Sequence, residues 1–207
     1  MTQPDFQPFE TDPQLGQLYV SVADVELAYT NAARIVRDPG FAHLSTVTYE
    51  GAAHPLIIAG YAIGRDMSVT FWSSERAAHV PYVTRRAGSC AMILTLDDRK
   101  LNRPTESDAG YIRMLKIDCE PVSPDKIAEQ LVSFNDARRH AGIGERPIEQ
   151  FNDSRAPRQL FVAHPSSEGG ITYPISEVYA NGEWAKEGHY PLNANAIWQR
   201  ADQLRAA

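Results

Sequence analysis

The residues best suited to hold an anion fall together at Ser73-Ser74-Glu75-Arg76. A phosphate needs charge-assisted donors, and a guanidinium beside two hydroxyls supplies them. The four residues follow the β-rich run Met67–Trp72 and open a segment, 73–86, that reads as a loop with a short helix. Backbone N–H groups and a helix N-terminus at such a junction also favour an anion. Arg85 and Arg86 close the segment and are further donors. The same four residues equally describe a polar loop with a surface arginine, and local sequence does not separate the two.

The six histidines, His43, His54, His79, His140, His164 and His189, include no pair at i,i+4 and have no cysteine partner nearby, so no metal site is expected. His54 opens an apolar run and His79 follows the Ser73–Arg76 stretch. Both are candidates for moving a proton, and both are compatible with a purely structural role. Cys90 and Cys119 lie in apolar strand-like runs, where a free thiol behaves as a small hydrophobe. No glycine-rich phosphate loop, nucleophile elbow or dinucleotide fingerprint occurs. A second cluster, between Tyr173 and Tyr190, mixes aromatic and acidic residues, among them Tyr179 and Trp184. Rigid aromatic surfaces with a few polar groups suit a small-ligand pocket, which makes Tyr179 and Trp184 candidate substrate contacts. An amphipathic hairpin with packed rings and solvated carboxylates would have the same composition.

These residues need a scaffold, and most of it is β. Ser21, with Asp24 three residues on, reads as a capping box with aspartate in place of glutamate. Val22, Val25, Tyr29, Ala32 and Val36 follow at helical spacing, and Asp38-Pro39-Gly40 stops the helix, so a helix is predicted over 21–37. Phe41–Tyr49, Ala53–Ile63 and Met67–Trp72 then read as a three-strand antiparallel meander, because connections of two or three residues hold no crossover helix. The second of these is nearly all apolar and is expected to be buried on both faces. Ser89–Leu96 and Tyr111–Val122 are further strands. Pro124 stands at the first position of another helix, which Gly142 closes. Gln159–Ala163 is a short strand, and Asn181-Gly182 marks a tight hairpin. Residues 193–207 carry a last helical stripe.

The stretch from Phe41 to Val122 resembles the FMN-binding split barrel of the pyridoxamine-5′-phosphate-oxidase-like superfamily. The matching residues are Phe41-Ala42-His43-Leu44-Ser45-Thr46, the Glu50-Gly51 turn, His54-Pro55-Leu56-Ile57, and Thr70-Phe71-Trp72-Ser73-Ser74-Glu75-Arg76. Ala77 stands where the family usually has a lysine, which opens Arg85 or Arg86 as alternative donors. The resemblance implies a mainly β fold with flanking helices: a six-stranded antiparallel split β-barrel, dimeric, with FMN at the subunit interface. It implies a cofactor set of Pro55, Leu56, Ile57, Trp72, Ser73, Ser74, Arg76 and Arg85, and an oxidoreductase acting on a small organic substrate. Within the same fold, a deazaflavin or haem is the alternative ligand, with His43, His54 or His164 as possible axial ligands to haem. A non-catalytic flavin sensor or reservoir is the alternative of another class.

Composition bounds the rest. With 207 residues, 43% hydrophobic and 22% charged, the chain is expected to form one domain over 21–207, its C-terminal part an extension of the barrel. Residues 1–20 are expected to be an extended or poorly ordered arm. A net charge of −6 speaks against a nucleic-acid partner. Without a secretory leader or a run of about 20 apolar residues, no membrane association is expected, and the cytoplasm is the expected compartment.

Overall fold

A computed structural model describes residues 5–12, 16–84, 88–96, 110–140, 144–151, 155, 157–166, 170–175, 178–180, 183–185 and 188–206. The chain is mainly antiparallel β-sheet with four α-helices among the described residues. The N-terminal segment, expected as an arm, forms the antiparallel strands β1 (Phe6–Asp12) and β2 (Gly16–Ser21). Ser21 ends β2 in extended geometry and caps α1 (Val22–Arg37): its Oγ accepts the Asp24 N–H at 3.1 Å and donates to the Asp24 carboxylate at 2.6 Å. Val25, Ala32 and Val36 are buried as their spacing predicts, whereas Val22, on the same predicted stripe, is exposed.

Strands β3 (Pro39–Val47) and β4 (Ala53–Ala59) pair across the Glu50-Gly51 turn, where Gly51 adopts φ +85°. The chain then departs from the expected meander. Ala53–Ile63 breaks at Gly60 (φ +72°), a backbone conformation glycine adopts without a Cβ clash. The residues beyond it form the two-residue β5 (Ala62–Ile63), which pairs with β6 (Val69–Ser74) rather than continuing β4. After the short α2 (Val80–Val83) come β7 (Cys90–Leu96) and β8 (Tyr111–Pro121), then a 3-10 turn over Pro124–Lys126 and α3 (Ile127–His140). A second 3-10 turn (Ile148–Phe151) leads to β9 (Arg158–His164), β10 (Ile171–Ile175), β11 (Val178–Ala180), β12 (Glu183–Ala185), β13 (Gly188–Pro191) and α4 (Ala194–Ala206).

The larger sheet runs in the order β4-β3-β7-β8-β9-β6-β5, with β10 joined to β8 and β13 to β10. Six strands on this path are 6 to 11 residues long, and β5 has two. β4 and β5 sit at opposite ends of the path although only Gly60 and Tyr61 separate them. Three residues span at most about 11 Å, so the sheet must curl until its ends approach. β8 makes much of the bend: Lys116 has φ +50°, residues up to Ile117 pair with β7 and those from Asp118 on pair with β9.

The expectation that β4 is buried on both faces is corrected. β3 is its one neighbour on the path, and Ile57 is 65% exposed. An alternation runs through both strands: Ala42, Leu44, Thr46 and Ile58 face the core, while Phe41, His43, Val47, Pro55 and Ile57 face out. The outer face is therefore apolar and uncovered in the single chain. The main core fills the curl with Leu44, Phe71, Met92, Leu94, Ile112, Met114 and Phe161, closed by Val36 of α1 and Ile197 of α4. A second core under α3 joins Leu131, Phe134, Phe151 and Leu160, with Trp72 packed against it.

The Asn181-Gly182 turn lies outside the described residues, but its flanks behave as the dipeptide requires: Ala180 is paired with Glu183. The resulting β11–β12 hairpin extends β2, with Tyr179 opposite Tyr19, so the N-terminal strands share the four-stranded sheet β1-β2-β11-β12 with residues 178–185. Among the described residues no helix is long and apolar enough to cross a membrane.

Candidate functional site

Strand alternation at the end of β6 divides the residues grouped by the sequence. Phe71 and Ser73 face the interior of the curl, and Trp72 faces the α3 core with Ser74 on its side of the strand. The interior branch carries a polar cluster. Ser73, only 7% exposed, shares a 2.7 Å hydrogen bond with His79 Nε2, presented just before α2. His54, at the start of β4, lies with its ring centroid 6.5 Å from that of His79 and 5.8 Å from that of Tyr82. Tyr82 meets Tyr49 edge-on at 5.3 Å. Thr46 is paired with His54 across β3 and β4, and its buried hydroxyl has no hydrogen-bond partner among the described residues. A buried hydroxyl without a partner costs about 1–3 kcal/mol, which a polar ligand group reaching it would offset.

Burial, and then the neighbouring His54, hold His79 below the usual histidine value. Its folded state thus binds fewer protons than its unfolded state once the pH drops to the ordinary histidine range. Stability is fully present above a pH of about 6.5 and is lost as pH falls through the folded value. Wild-type protein should therefore lose denaturation midpoint between pH 7 and pH 5 more steeply than His79→Gln, whose side chain does not titrate. Parallel slopes in urea titrations at the two pH values would remove His79 as the acid-sensitive group.

The Ser73–Arg76 stretch forms a tight turn. Ser74 Oγ accepts the Arg76 N–H at 3.3 Å, and the Ala77 N–H reaches the Ser74 carbonyl at 2.9 Å. The Arg76 side chain is exposed, and the Ser74 hydroxyl, which accepts here, is also able to donate. Arg85, the other arginine assigned to this grip, lies outside the described residues. Of the β4 residues assigned to a cofactor slot, Pro55 and Ile57 share the outer face with His43, whereas Leu56 turns inward and packs against the main core. Tyr179 and Trp184 are register partners in the β11–β12 hairpin, which belongs to the four-stranded sheet.

The remaining chemistry-bearing residues are accounted for locally. His164 lies 3.5 Å from Glu120. Cys90 is buried and its thiol donates to the Val83 carbonyl at 3.6 Å; Cys119 is also a free thiol. Among the described residues no group of three or more His, Cys, Asp or Glu is placed to hold a metal ion. Sequence reading missed Thr46, Tyr49 and Tyr82. Thr46 was accessible in principle, because counting back from the Glu50-Gly51 turn pairs it with His54, whereas Tyr82 reaches His54 only through the tertiary fold.

No protein-family model matches this chain, and no curated protein does. Solved structures do resemble it. The Campylobacter jejuni protein ChuZ superposes with a TM-score of 0.52 at 10% identity, over 94% of this chain and 85% of that one. A haem-binding protein from Mycobacterium smegmatis gives 0.50 at 15% identity, over 82% of this chain and 60% of that one. The protein Atu2129, of unknown function, from Agrobacterium tumefaciens gives 0.49 at 13% identity, over 77% and 58%. The chain thus spans about 60% of the length of the last two. At these identities the likeness is one of fold.

Proposed function

We propose that this chain is a split-barrel flavoprotein that binds FMN at the interface of a homodimer and acts as an oxidoreductase on a small organic molecule. The observation that carries the reading is the Ser73–Arg76 turn at the end of β6, immediately beside the His54–His79–Tyr82 cluster. The residues suit the group. Arg76 and the Ser74 hydroxyl offer donors to a phosphate, and Pro55 and Ile57 on the outer face of β4 present an apolar wall. FMN supplies the hydride chemistry when bound, and the protein supplies orientation and electrostatics. In this reading Ser73 and His79 hold a proton between the serine oxygen and Nε2, with His79 kept neutral by its surroundings at physiological pH. The apolar face of β3 and β4 excludes water once a second copy covers it.

Haem is the second reading. It is favoured by the fold shared with the Mycobacterium smegmatis haem-binding protein and by His43, exposed on the apolar outer face with Ile57 and Ile93 as its register partners. The absorption spectrum of the purified or reconstituted protein decides: two visible-region flavin bands support FMN, a Soret band supports haem, and failure to bind either after reconstitution overturns both. The substrate side is assigned to the β11–β12 hairpin. Trp184→Ala and Tyr179→Ala, each in flavin-loaded protein, should keep the cofactor and lower turnover roughly tenfold, the equivalent of about 1.4 kcal/mol of aromatic contact. Unchanged kinetics with a lowered melting temperature would instead make the two residues part of the packing.

A further inference from the structure

The side of β6 opposite Ser73 carries three arginines whose charge nothing described balances. Arg146 and Arg158 place their guanidinium carbons 4.6 and 4.8 Å from the centre of the Trp72 ring. Both donate an Nη1 proton to the same neutral acceptor, Gln150 Oε1. Arg138, 3% exposed, adds a third cation from α3, its Nε donating to the Gly144 carbonyl at 2.7 Å. Arg146 Nε is buried without a hydrogen-bond partner. Among the described residues no ion pair within 4.0 Å reaches Arg138, Arg146 or Arg158, and the nearby acids Asp136 and Glu145 are taken by Arg139. Burial and then Arg158 lower the Arg146 value, and burial and then Arg146 lower that of Arg138, so the three cations destabilise one another.

Cation–π attraction explains why guanidinium groups lie on an indole, at about 0.5–2 kcal/mol each. It does not explain why like charges converge in a chain of net charge −6 while carboxylates stay elsewhere. Clustered arginine forks with an unspent buried N–H are what a doubly charged phosphoryl group requires. We propose that Arg146 and Arg158 on Trp72, together with Arg138 on the Phe134 ring, form an anion site for a phosphate-bearing small molecule, separate from the flavin site. The proposal does not depend on the flavin reading.

Isothermal calorimetry with inorganic phosphate, pyrophosphate and adenosine monophosphate, each against sodium chloride of equal ionic strength, tests it on the protein as purified. Saturable binding is expected for at least one phosphoryl compound, weakened tenfold or more in Arg146→Gln and Arg158→Gln and unchanged in Arg139→Gln. The charge-conserving Arg158→Lys keeps the test usable if a glutamine variant unfolds, and should weaken binding through loss of the fork. Equal affinity for phosphate and the nucleotide assigns recognition to the phosphoryl group alone; tighter nucleotide binding assigns a nucleotide. Absence of saturable heat from all three compounds, or unaltered affinity in folded Arg146 and Arg158 variants, overturns the site. Displacement of bound FMN by pyrophosphate overturns its separateness.

Discussion

Arg76→Ala should weaken FMN binding roughly 30-fold, which corresponds to about 2 kcal/mol, while leaving the melting temperature of the cofactor-free protein unchanged. The two halves of that expectation have one cause. Arg76 is exposed on a turn whose backbone is held by Ser74, through the Arg76 N–H and the Ala77 N–H, and a methyl side chain leaves both bonds intact. What is lost is a charge-assisted donor to the phosphate, and its solvent exposure keeps the loss near the middle of the about 1.5–3 kcal/mol range for hydrogen bonds to charged groups. Equilibrium dialysis or flavin fluorescence measures it. Stoichiometric FMN retained through purification of Arg76→Ala would move the grip elsewhere, with Arg85 and Arg86 as the next positions to substitute.

Ile57→Asp should have the larger consequence, because it acts on assembly. Ile57 stands 65% exposed on β4, with Phe41 at 51% and Val47 at 43% on the same outer face, and β4 has β3 as its one neighbour on the sheet path. An apolar strand face of this kind signals an interface between copies when it is contiguous. A carboxylate at its centre is buried without a partner in the dimer, at a cost of several kcal/mol, yet is harmless in the monomer. Light scattering should find the wild type at twice the 23.0 kDa chain mass and Ile57→Asp at the chain mass, with flavin lost alongside and the circular dichroism spectrum kept. A wild-type monomer, or a variant that stays dimeric, would place the interface on another surface and remove Pro55 and Ile57 from the cofactor wall.

Local interactions carried much of this architecture in plain view. Ser21 with Asp24 and a 3.6-residue apolar period determined α1, because capping and amphipathicity act within a few turns. Asn181-Gly182 determined the β11–β12 hairpin, since a two-residue connection needs backbone angles those residues adopt readily. The β-rich runs 89–96 and 111–122 became β7 and β8 nearly to the residue, and the expected mainly β, antiparallel architecture is what the structure shows. Other features depended on which distant segments meet, and no local pattern encodes that. The apolar run 53–63 could not say that Gly60 would send its two halves to opposite ends of the sheet, because strand order is set by packing and chain reach rather than by hydropathy. The place of β2 in a sheet was not legible because its partner on the side away from β1 is β11, 160 residues away. Trp72, Ser73 and Ser74 were legible as one motif, but the pleat sends Trp72 to two arginines and Ser73 to His79, and those partners arrive from β9, from the segment before the second 3-10 turn and from the residue before α2 only when the chain is folded.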